Sequence, residues 1–350
     1  MRVVISDPPA YTPPYDRLLA AALARAGANV ELVTSRFRFG EVEPPVGYSA
    51  REWFYPLSSR MPSSRLRLAV KALEHPVGMA QLATLRADVL HVQWFGAPEV
   101  DRWLFRPRSP VVHTAHDILP RRTAAKTDVW RTLFSRIDRV VVHSDRGKEG
   151  LVAFGIEDDR IRVIPHPAFR ADISHGDDGR TALALGLIRP YKGTEDAVEA
   201  VLRTRDARLL VAGDQRIELD GLRERAGARA EWRLGYLPGA EIERVLSEAT
   251  VALFPYRAEI DVSGALLQVL GAGIPAVVYD IGGLGEIVGR YGAGAVVPAG
   301  DVAAMSAELE RMLDEPAVLE EARAGAERAR DDLTWERSAA AHLELYEELV

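Results

Sequence analysis

Short apolar runs alternate with stretches of helical apolar spacing, and this alternation occurs in two successive blocks of the chain. Short apolar runs indicate buried strands, and apolar residues spaced three and four apart indicate helices. Strands and helices in alternation predict a parallel sheet with helices on both faces. The predicted strands of the first block are residues 2–6, 30–33, 89–92, 111–114, 140–143 and 161–164, with helices at 16–27, 129–136 and 146–154.

Residues 165–180 interrupt the pattern, because this segment is rich in Pro, Gly and Asp and indicates a linker. We therefore expect two doubly wound α/β domains, 1–168 and 169–333, and a helix over 334–350 that either ends the second domain or crosses back to the first. Ligands of such sheets bind beyond the carboxyl ends of the strands, so we expect a cleft between the domains. The predicted strands of the second block are 182–185, 209–212, 232–234, 251–254, 276–279 and 295–297, with helices at 194–202, 241–249, 265–270, 302–313 and 317–328.

The composition narrows the classes of function. Of the 350 residues, 47% are hydrophobic and 27% are charged, which is typical of a globular protein. The formal net charge is −7, so no overall field attracts nucleic acid, and the absence of cysteine excludes disulfides and thiolate chemistry. No apolar run is long enough to span a membrane and no signal peptide is recognisable, so we expect a cytoplasmic protein.

Two features of the second block predict an anion site. The stretch 263–275 indicates a short helix that begins at Ser263-Gly264, where bare backbone N–H groups suit phosphate oxygens. Arg189 and Lys192 follow the first strand of the block, and such cations neutralise a diphosphate. Each feature alone also fits a plain structural role, as a capped helix or a solvated loop. Together they favour one site that binds a diphosphate from two sides.

An ordered set of motifs resembles glycosyltransferase family 4, whose members are retaining, nucleotide-sugar-dependent enzymes of the GT-B fold with two Rossmann-like domains. The resemblance covers nearly all of residues 139–350 and is looser before them, where 114–117 is similar to the acceptor-side histidine loop of the family. It implies a glycosyltransferase of the hexosyltransferase type that needs no cofactor beyond its donor substrate. The motifs that carry it are 189–193, 210–214, 235–238, 254–257, 263–275 and 280–286.

The resemblance also implies roles for single residues. Arg189 and Lys192 would hold the donor diphosphate and stabilise the charge that grows on it, with Ser263 and Gly264 donating N–H groups to the same phosphates. His116 would face the transferred sugar from the first domain. Gly186 and Gln268 are placed on the donor side, and Tyr11 and Tyr15 form the acceptor side, in a proline-rich loop where many relatives carry a Gly-Gly pair.

The chain departs from the family where two glutamates usually stand eight positions apart. Gln268 occupies the second position and Ile260 the first. Gln268 still hydrogen-bonds a ribose hydroxyl, but more weakly than a carboxylate does. Glu259 and Asp261 flank the first position, and the sequence does not decide which of them supplies the missing carboxylate.

Other interpretations stay open. An epimerase of the same architecture would use a nucleotide sugar without an acceptor, and a degenerate transferase would only bind. The chain has no Asp-x-Asp triplet and no paired-histidine zinc spacing, so we expect no metal. The basic, amphipathic stretch 60–73 is either a solvated helix face or a peripheral contact with anionic lipid at the inner face of the membrane. No sequence pattern identifies the nucleotide base, the transferred sugar or the acceptor, which is a glycan, a lipid-linked compound or a small molecule.

Overall fold

The computed structural model describes residues 1–257 and 260–350, which form two compact units. Unit 1 contains Met1–Pro165 and Trp335–Val350, and unit 2 contains His166–Thr334. The structural boundary thus follows Pro165, whereas the sequence places it after residue 168. Each unit is built around one fully parallel sheet. The α/β class and the two Rossmann-like sheets confirm the predicted fold.

Unit 1 holds a seven-stranded sheet in the order β3-β2-β1-β4-β5-β6-β7. The inner strands are buried on both faces, which explains their uninterrupted apolar sequence. The strands are β1 Arg2–Asp7, β2 Asn29–Ser35, β3 Ser49–Phe54, β4 Val89–Val92, β5 Val111–Thr114, β6 Arg139–Val142 and β7 Ile161–Val163. The helices are α1 Pro13–Arg25, α2 Arg65–Leu82, α3 Pro98–Leu104, α4 Thr127–Phe134, α5 Asp145–Phe154 and, from the chain end, α13 Trp335–Glu347.

The C-terminal helix α13 belongs to unit 1. Tyr346 on α13 is fully buried, and its hydroxyl lies 2.6 Å from Nδ1 of His91 on β4. At the other end of the helix, Arg25 of α1 forms a 2.9 Å ion pair with Glu336. A buried aromatic residue with a satisfied hydroxyl therefore fixes the last helix to the first sheet.

Unit 2 holds a six-stranded sheet in the order β10-β9-β8-β11-β12-β13. Apolar clusters cover both faces of this sheet. The strands are β8 Thr181–Leu185, β9 Arg208–Gly213, β10 Ala230–Leu234, β11 Val251–Phe254, β12 Ala276–Tyr279 and β13 Gly294–Val297. The helices are α6 Thr194–Arg203, α7 Asp220–Ala226, α8 Gly239–Ser247, α9 Gly264–Gly271, α10 Gly282–Tyr291, α11 Val302–Asp314 and α12 Pro316–Asp332.

Some elements escaped the sequence analysis for physical reasons. Strand β3 lies at a sheet edge and is mostly exposed, so it lacks an apolar signature. Helix α10 contains four glycines, which oppose helix formation on their own. Gly282 opens it with a positive φ of 49°, where any Cβ would collide with the carbonyl oxygen of Ile260. Among the described residues, no helix is both long and apolar enough to cross a bilayer.

Candidate active site

The donor-side residues lie where the strand order of unit 2 reverses. Strand β9 extends the sheet from one side of β8, and β11 extends it from the other. The carboxyl ends of β8 and β11 therefore form a topological switch point, the usual ligand position in such sheets. Gly186 leaves β8 here with φ at +112°, and a Cβ on it would lie 3.4 Å from the Cβ of Ala265 in α9. The end of β8 thus lies beside the first turn of α9.

A tight turn connects the loops after β8 and β11. Residues Pro190–Lys192 form one 3-10 turn that ends at Gly193, with φ at +67°. A Cβ on Gly193 would collide with the carbonyl oxygen of Pro255, directly after β11. Only glycine fits here, because the backbone conformation and the close approach both exclude a side chain. The turn places Lys192 over the end of β11.

Lys192 and the start of α9 are joined by a tyrosine. The ammonium of Lys192 donates to the hydroxyl of Tyr256 and lies 3.8 Å from the centroid of its ring. The same hydroxyl lies 2.8 Å from Oγ of Ser263, the N-cap residue of α9. Tyr256 and Ser263 are both buried. The structure therefore brings together one predicted cation and the predicted helix start.

The other donor-side candidates differ in exposure. Arg189 is exposed in the loop before Lys192, and its side chain makes no hydrogen bond or ion pair with any described residue. Gly264 is exposed at the tip of α9, and Gln268, one turn further on, is half-buried. Asp261 is fully buried, and Glu259 lies outside the described residues. The choice between these two carboxylates, which the sequence left open, stays open.

An ion pair that no local sequence pattern indicated joins the first turn of α6 to Arg257, which follows Tyr256. Asp196 in the first turn of α6 accepts from Arg257 at 2.6 and 3.2 Å and from the Tyr279 hydroxyl at 3.1 Å. The hydrogen bonds that Arg257 donates to Asp196 raise the pKa of Arg257 above its ordinary value. Two elements far apart in sequence meet here, so no local pattern revealed the pair.

The acceptor-side candidates in unit 1 surround His116, which follows β5. The imidazole stacks on Trp94 with centroids 5.2 Å apart, and Tyr15 meets it edge-on at 4.8 Å. Tyr15 is buried, whereas Tyr11 is 60% exposed and packs edge-on against Trp94 at 5.5 Å. Tyr11 thus offers an open aromatic surface, and Tyr15 supports the imidazole from inside.

A buried hydrogen-bond chain orients His116. Its Nε2 lies 2.8 Å from Oε1 of Gln93, and the amide of Gln93 lies 3.2 Å from Nε2 of His91. Burial lowers the pKa of His91 well below its ordinary value, and the same Nε2 also lies 2.7 Å from Oγ1 of Thr114. Nδ1 of His91 lies 2.6 Å from the hydroxyl of Tyr346. Because the amide oxygen of Gln93 only accepts, Nε2 of His116 is the donor of their hydrogen bond.

Two carboxyl groups contact Thr12, in the proline-rich loop that also carries Tyr11 and Tyr15. Asp7 ends β1, Asp16 lies on α1, and both are buried. Thr12 connects them, since its amide donates to Asp7 at 3.2 Å and its hydroxyl to Asp16 at 3.3 Å. Burial raises the pKa of Asp7 to about 6, and burial together with the charge of Asp7 raises that of Asp16 well above its ordinary value. Among the described residues, no three His, Asp or Glu side chains form a candidate metal centre.

Profiles of two glycosyltransferase families match the two halves of the chain. Residues 17–168 match Glycosyltransferase Family 4, and residues 179–315 match Glycosyl transferases group 1. The chain belongs to the family 4 glycosyltransferases.

Individual known proteins are similar to this chain in sequence or in fold. The family 4 chain is 28% identical over 264 residues to a 2-deoxystreptamine glucosyltransferase of Streptomyces kanamyceticus, covering 71% of this chain and 68% of the relative. Sucrose-phosphate synthase of Thermosynechococcus elongatus has the same fold, with a TM-score of 0.81 at 20% identity over 100% of this chain and 99% of that one. HepE of Anabaena, crystallised with UDP and glucose, gives a TM-score of 0.75 at 14% identity over the full length of both chains.

Proposed function

We propose that this glycosyltransferase moves a hexosyl group from a nucleotide-diphosphate sugar to an acceptor hydroxyl, with retention and without a metal ion. The observation that carries the proposal is the connection from Lys192 through Tyr256 to Ser263 at the switch point of unit 2. It sets a cation and a helix N-terminus around one position, as a diphosphate requires. HepE, which shares the fold, was crystallised with UDP-glucose.

The proposed reaction needs little from the protein beyond charge and position. Lys192, Arg189 and the N–H groups at Ser263-Gly264 stabilise the diphosphate as the bond from the anomeric carbon to its phosphate oxygen breaks. The acceptor oxygen forms the new bond on the same face and gives its proton to the departing phosphate oxygen. His116, oriented by Gln93, lies on the acceptor side of the reaction.

A thermal-shift screen against UDP, ADP, GDP and TDP and their glucose conjugates tests donor binding. A ligand at a hundredfold its dissociation constant adds about 2.7 kcal/mol to the free energy of unfolding, which is a measurable shift. We expect Lys192→Ala and Arg189→Ala to lower turnover about a hundredfold or more, as for other preorganised charge stabilisers. Lys148→Ala is the matched control, because Lys148 lies in unit 1 and pairs with Asp158. Near-normal turnover of both site variants would refute the assignment.

Stereochemistry and metal dependence have separate tests. Proton NMR of the product, with an acceptor found by screening, should show the anomeric configuration of the donor sugar. Turnover should persist in excess EDTA, because cationic side chains, and not a metal ion, stabilise the charge on the diphosphate. An inverted product would contradict retention, and loss of turnover that magnesium restores would contradict metal independence. Sugar turnover without any acceptor, giving an isomerised donor, would instead support the epimerase alternative.

A second proposal concerns a lipid surface. Helix α2 exposes Leu66, Leu73 and Val77, which are 66%, 76% and 61% accessible and lie on one helix face. Arg65 on the same helix and Arg60 just before it add positive charge, so we propose peripheral contact with anionic lipid through this helix. Co-sedimentation with vesicles containing phosphatidylglycerol should fall in Leu73→Ser relative to the wild type. No co-sedimentation of the wild type at low salt would end this proposal.

A further inference from the structure

Three cations of unit 1 lie close together, and two of them belong to the basic stretch 60–73. Arg67 and Lys71 are one turn apart on α2, and Arg38 lies in the loop after β2. We call these three residues the Lys71 cluster. Two backbone carbonyls hold the guanidinium groups in place: Ser58 accepts from Arg67 at 3.1 Å, and Met61 accepts from Arg38 at 2.9 Å. The fold therefore positions the two guanidinium groups of the cluster.

A rigid aromatic floor fixes the ammonium of Lys71. Its Nζ lies 4.4 Å from the centroid of the Tyr55 ring. The Tyr55 hydroxyl lies 2.7 Å from Nδ1 of His75, whose Nε2 lies 2.5 Å from the buried carboxylate of Asp101. Tyr55 also has a φ of +55°, and a Cβ on Gly96 would lie 2.6 Å from its hydroxyl. Such strained backbone persists only where the surroundings hold it, and it concentrates at ligand sites.

The Lys71 cluster has no internal counter-ion. No described carboxylate lies within 4.0 Å of a charged nitrogen of Arg38, Arg67 or Lys71, although the chain has 51 acidic residues against 44 basic ones. The only acidic residue of α2, Glu74, accepts from the backbone amides of Leu57 and Ser58 instead.

The cations of the cluster repel one another. Burial and then the charges of Arg67 and Arg38 lower the pKa of Lys71, and burial and Arg38 lower that of Arg67. Arg122 also lowers the pKa of Lys71 but is itself paired with Glu99, while Asp7 acts in the opposite direction. A bound anion would remove this repulsion.

An aromatic surface extends from the cluster toward His116. The Tyr55 hydroxyl lies against Gly96, two residues after Trp94, and Tyr11 packs edge-on against Trp94. Trp94 in turn stacks on His116. The exposed ring of Tyr11 and the half-buried ring of Trp94, next to the cations, suit a ligand with a ring at one end and an oxyanion at the other.

We propose that the Lys71 cluster binds a phosphate group of the acceptor, so that the acceptor of this glycosyltransferase is a phosphorylated compound. The proposal rests on the proposed function, because it assigns the acceptor to unit 1. Two forked guanidinium groups and one ammonium match the charge and the several oxygens of a phosphate. The body of the acceptor lies on Tyr11 and Trp94, and its hydroxyl lies at His116.

Binding of inorganic phosphate, followed by ³¹P NMR and calorimetry, tests the cluster without any turnover. The Lys192→Ala variant is the background, because the donor site of unit 2 is itself expected to bind phosphate. In this background we expect Lys71→Met to weaken phosphate binding about 10- to 100-fold, as for loss of a charge-assisted hydrogen bond. Methionine keeps most of the contact with Tyr55, and an unchanged melting temperature confirms folding. Lys126→Met, which removes a cation paired with Glu99, is the matched control.

The outcomes separate this proposal from the proposed function. Equal phosphate binding by Lys192→Ala with and without Lys71→Met would overturn the anion site while leaving the donor site untouched. Loss of donor binding in Lys71→Met would also overturn it, since the cluster would then serve the donor. Competition between phosphate and phosphatidylglycerol vesicles that Lys71→Met reduces and Leu73→Ser leaves unchanged would show that the cluster takes the phosphate of a lipid. Phosphate binding that vesicles leave unchanged would identify a water-soluble acceptor.

Discussion

Replacement of Tyr256 by phenylalanine tests whether the tyrosine hydroxyl organises the donor site. The substitution removes one oxygen and keeps the buried ring and its 3.8 Å contact with Lys192. Ser263 loses its 2.8 Å partner, and Lys192 loses one hydrogen-bond acceptor. A buried hydroxyl without a partner costs about 1–3 kcal/mol. For a unit of this size, each kcal/mol lowers the melting temperature by about 2–4 °C, so we expect a loss of about 5 °C.

The kinetic effect of Tyr256→Phe should differ from that of removing the charge. Lys192 stays present and charged, so we expect the KM for the donor to rise about 3- to 10-fold, corresponding to about 1 kcal/mol of lost binding. Turnover should fall far less than the hundredfold expected for Lys192→Ala. Initial rates of nucleotide release over a range of donor concentrations measure both parameters.

Tyr279→Phe is the matched control for Tyr256→Phe. Tyr279 is equally buried in unit 2, and its hydroxyl donates to Asp196 and not to a residue of the donor site. It should lower the melting temperature by a similar amount and leave the donor KM unchanged. If Tyr256→Phe changes neither the melting temperature nor the donor KM, the hydroxyl does not organise the site, and the reasoning is wrong.

Three further predictions concern the turn, the carboxyl pair and the ion pair. Gly193→Ala should destabilise unit 2 by more than the roughly 1–2 kcal/mol that a left-handed alanine costs, because the new Cβ also collides with Pro255. Gly300→Ala is the control, because Gly300 has a φ of +81° but open space around it, so the substitution should cost only the backbone strain. Equal losses of stability in urea unfolding would contradict the collision. Asp7 has a folded pKa of about 6 against 3.8, so the folded state holds the extra proton and stability falls as pH rises from about 4 to 6. In urea unfolding, Asp7→Asn should therefore be more stable than the wild type at pH 7.5, by up to about 3 kcal/mol, and no more stable at pH 4. A variant less stable than the wild type at pH 7.5 would contradict the argument from burial. Asp196→Asn leaves Arg257 without its main partner and should destabilise unit 2 by about 1–3 kcal/mol. A thermal melt measures this loss against the control Asp172→Asn, which changes an exposed site. Equal melting temperatures of the two variants would show that the ion pair does not stabilise unit 2.

The central strands could be predicted from the sequence because burial on both faces leaves an unbroken apolar run. Four of them, β4, β5, β11 and β12, have the bounds that the sequence indicated. The exposed edge strand β3 and the glycine-rich helix α10 could not be predicted in this way. Their formation depends on neighbours distant in sequence, such as the carbonyl of Ile260 beside Gly282.

The candidate site was predictable only in part for the same reason. Lys192, Tyr256 and Ser263 all belong to local motifs, but nothing in the sequence indicated that the Tyr256 hydroxyl connects the other two. The Lys71 cluster was visible only as a basic stretch, because Arg38 joins it from another element. Sequence patterns thus indicated which loops carry chemistry, and the contacts between loops came from the fold.

The most direct test is a crystal structure of the chain with UDP, or with whichever nucleotide diphosphate the thermal-shift screen selects. The proposed function predicts phosphate oxygens within about 3.2 Å of Nζ of Lys192 and of a backbone nitrogen at the start of α9. A diphosphate bound elsewhere, with Lys192 still on Tyr256 and the start of α9 unoccupied, would contradict it.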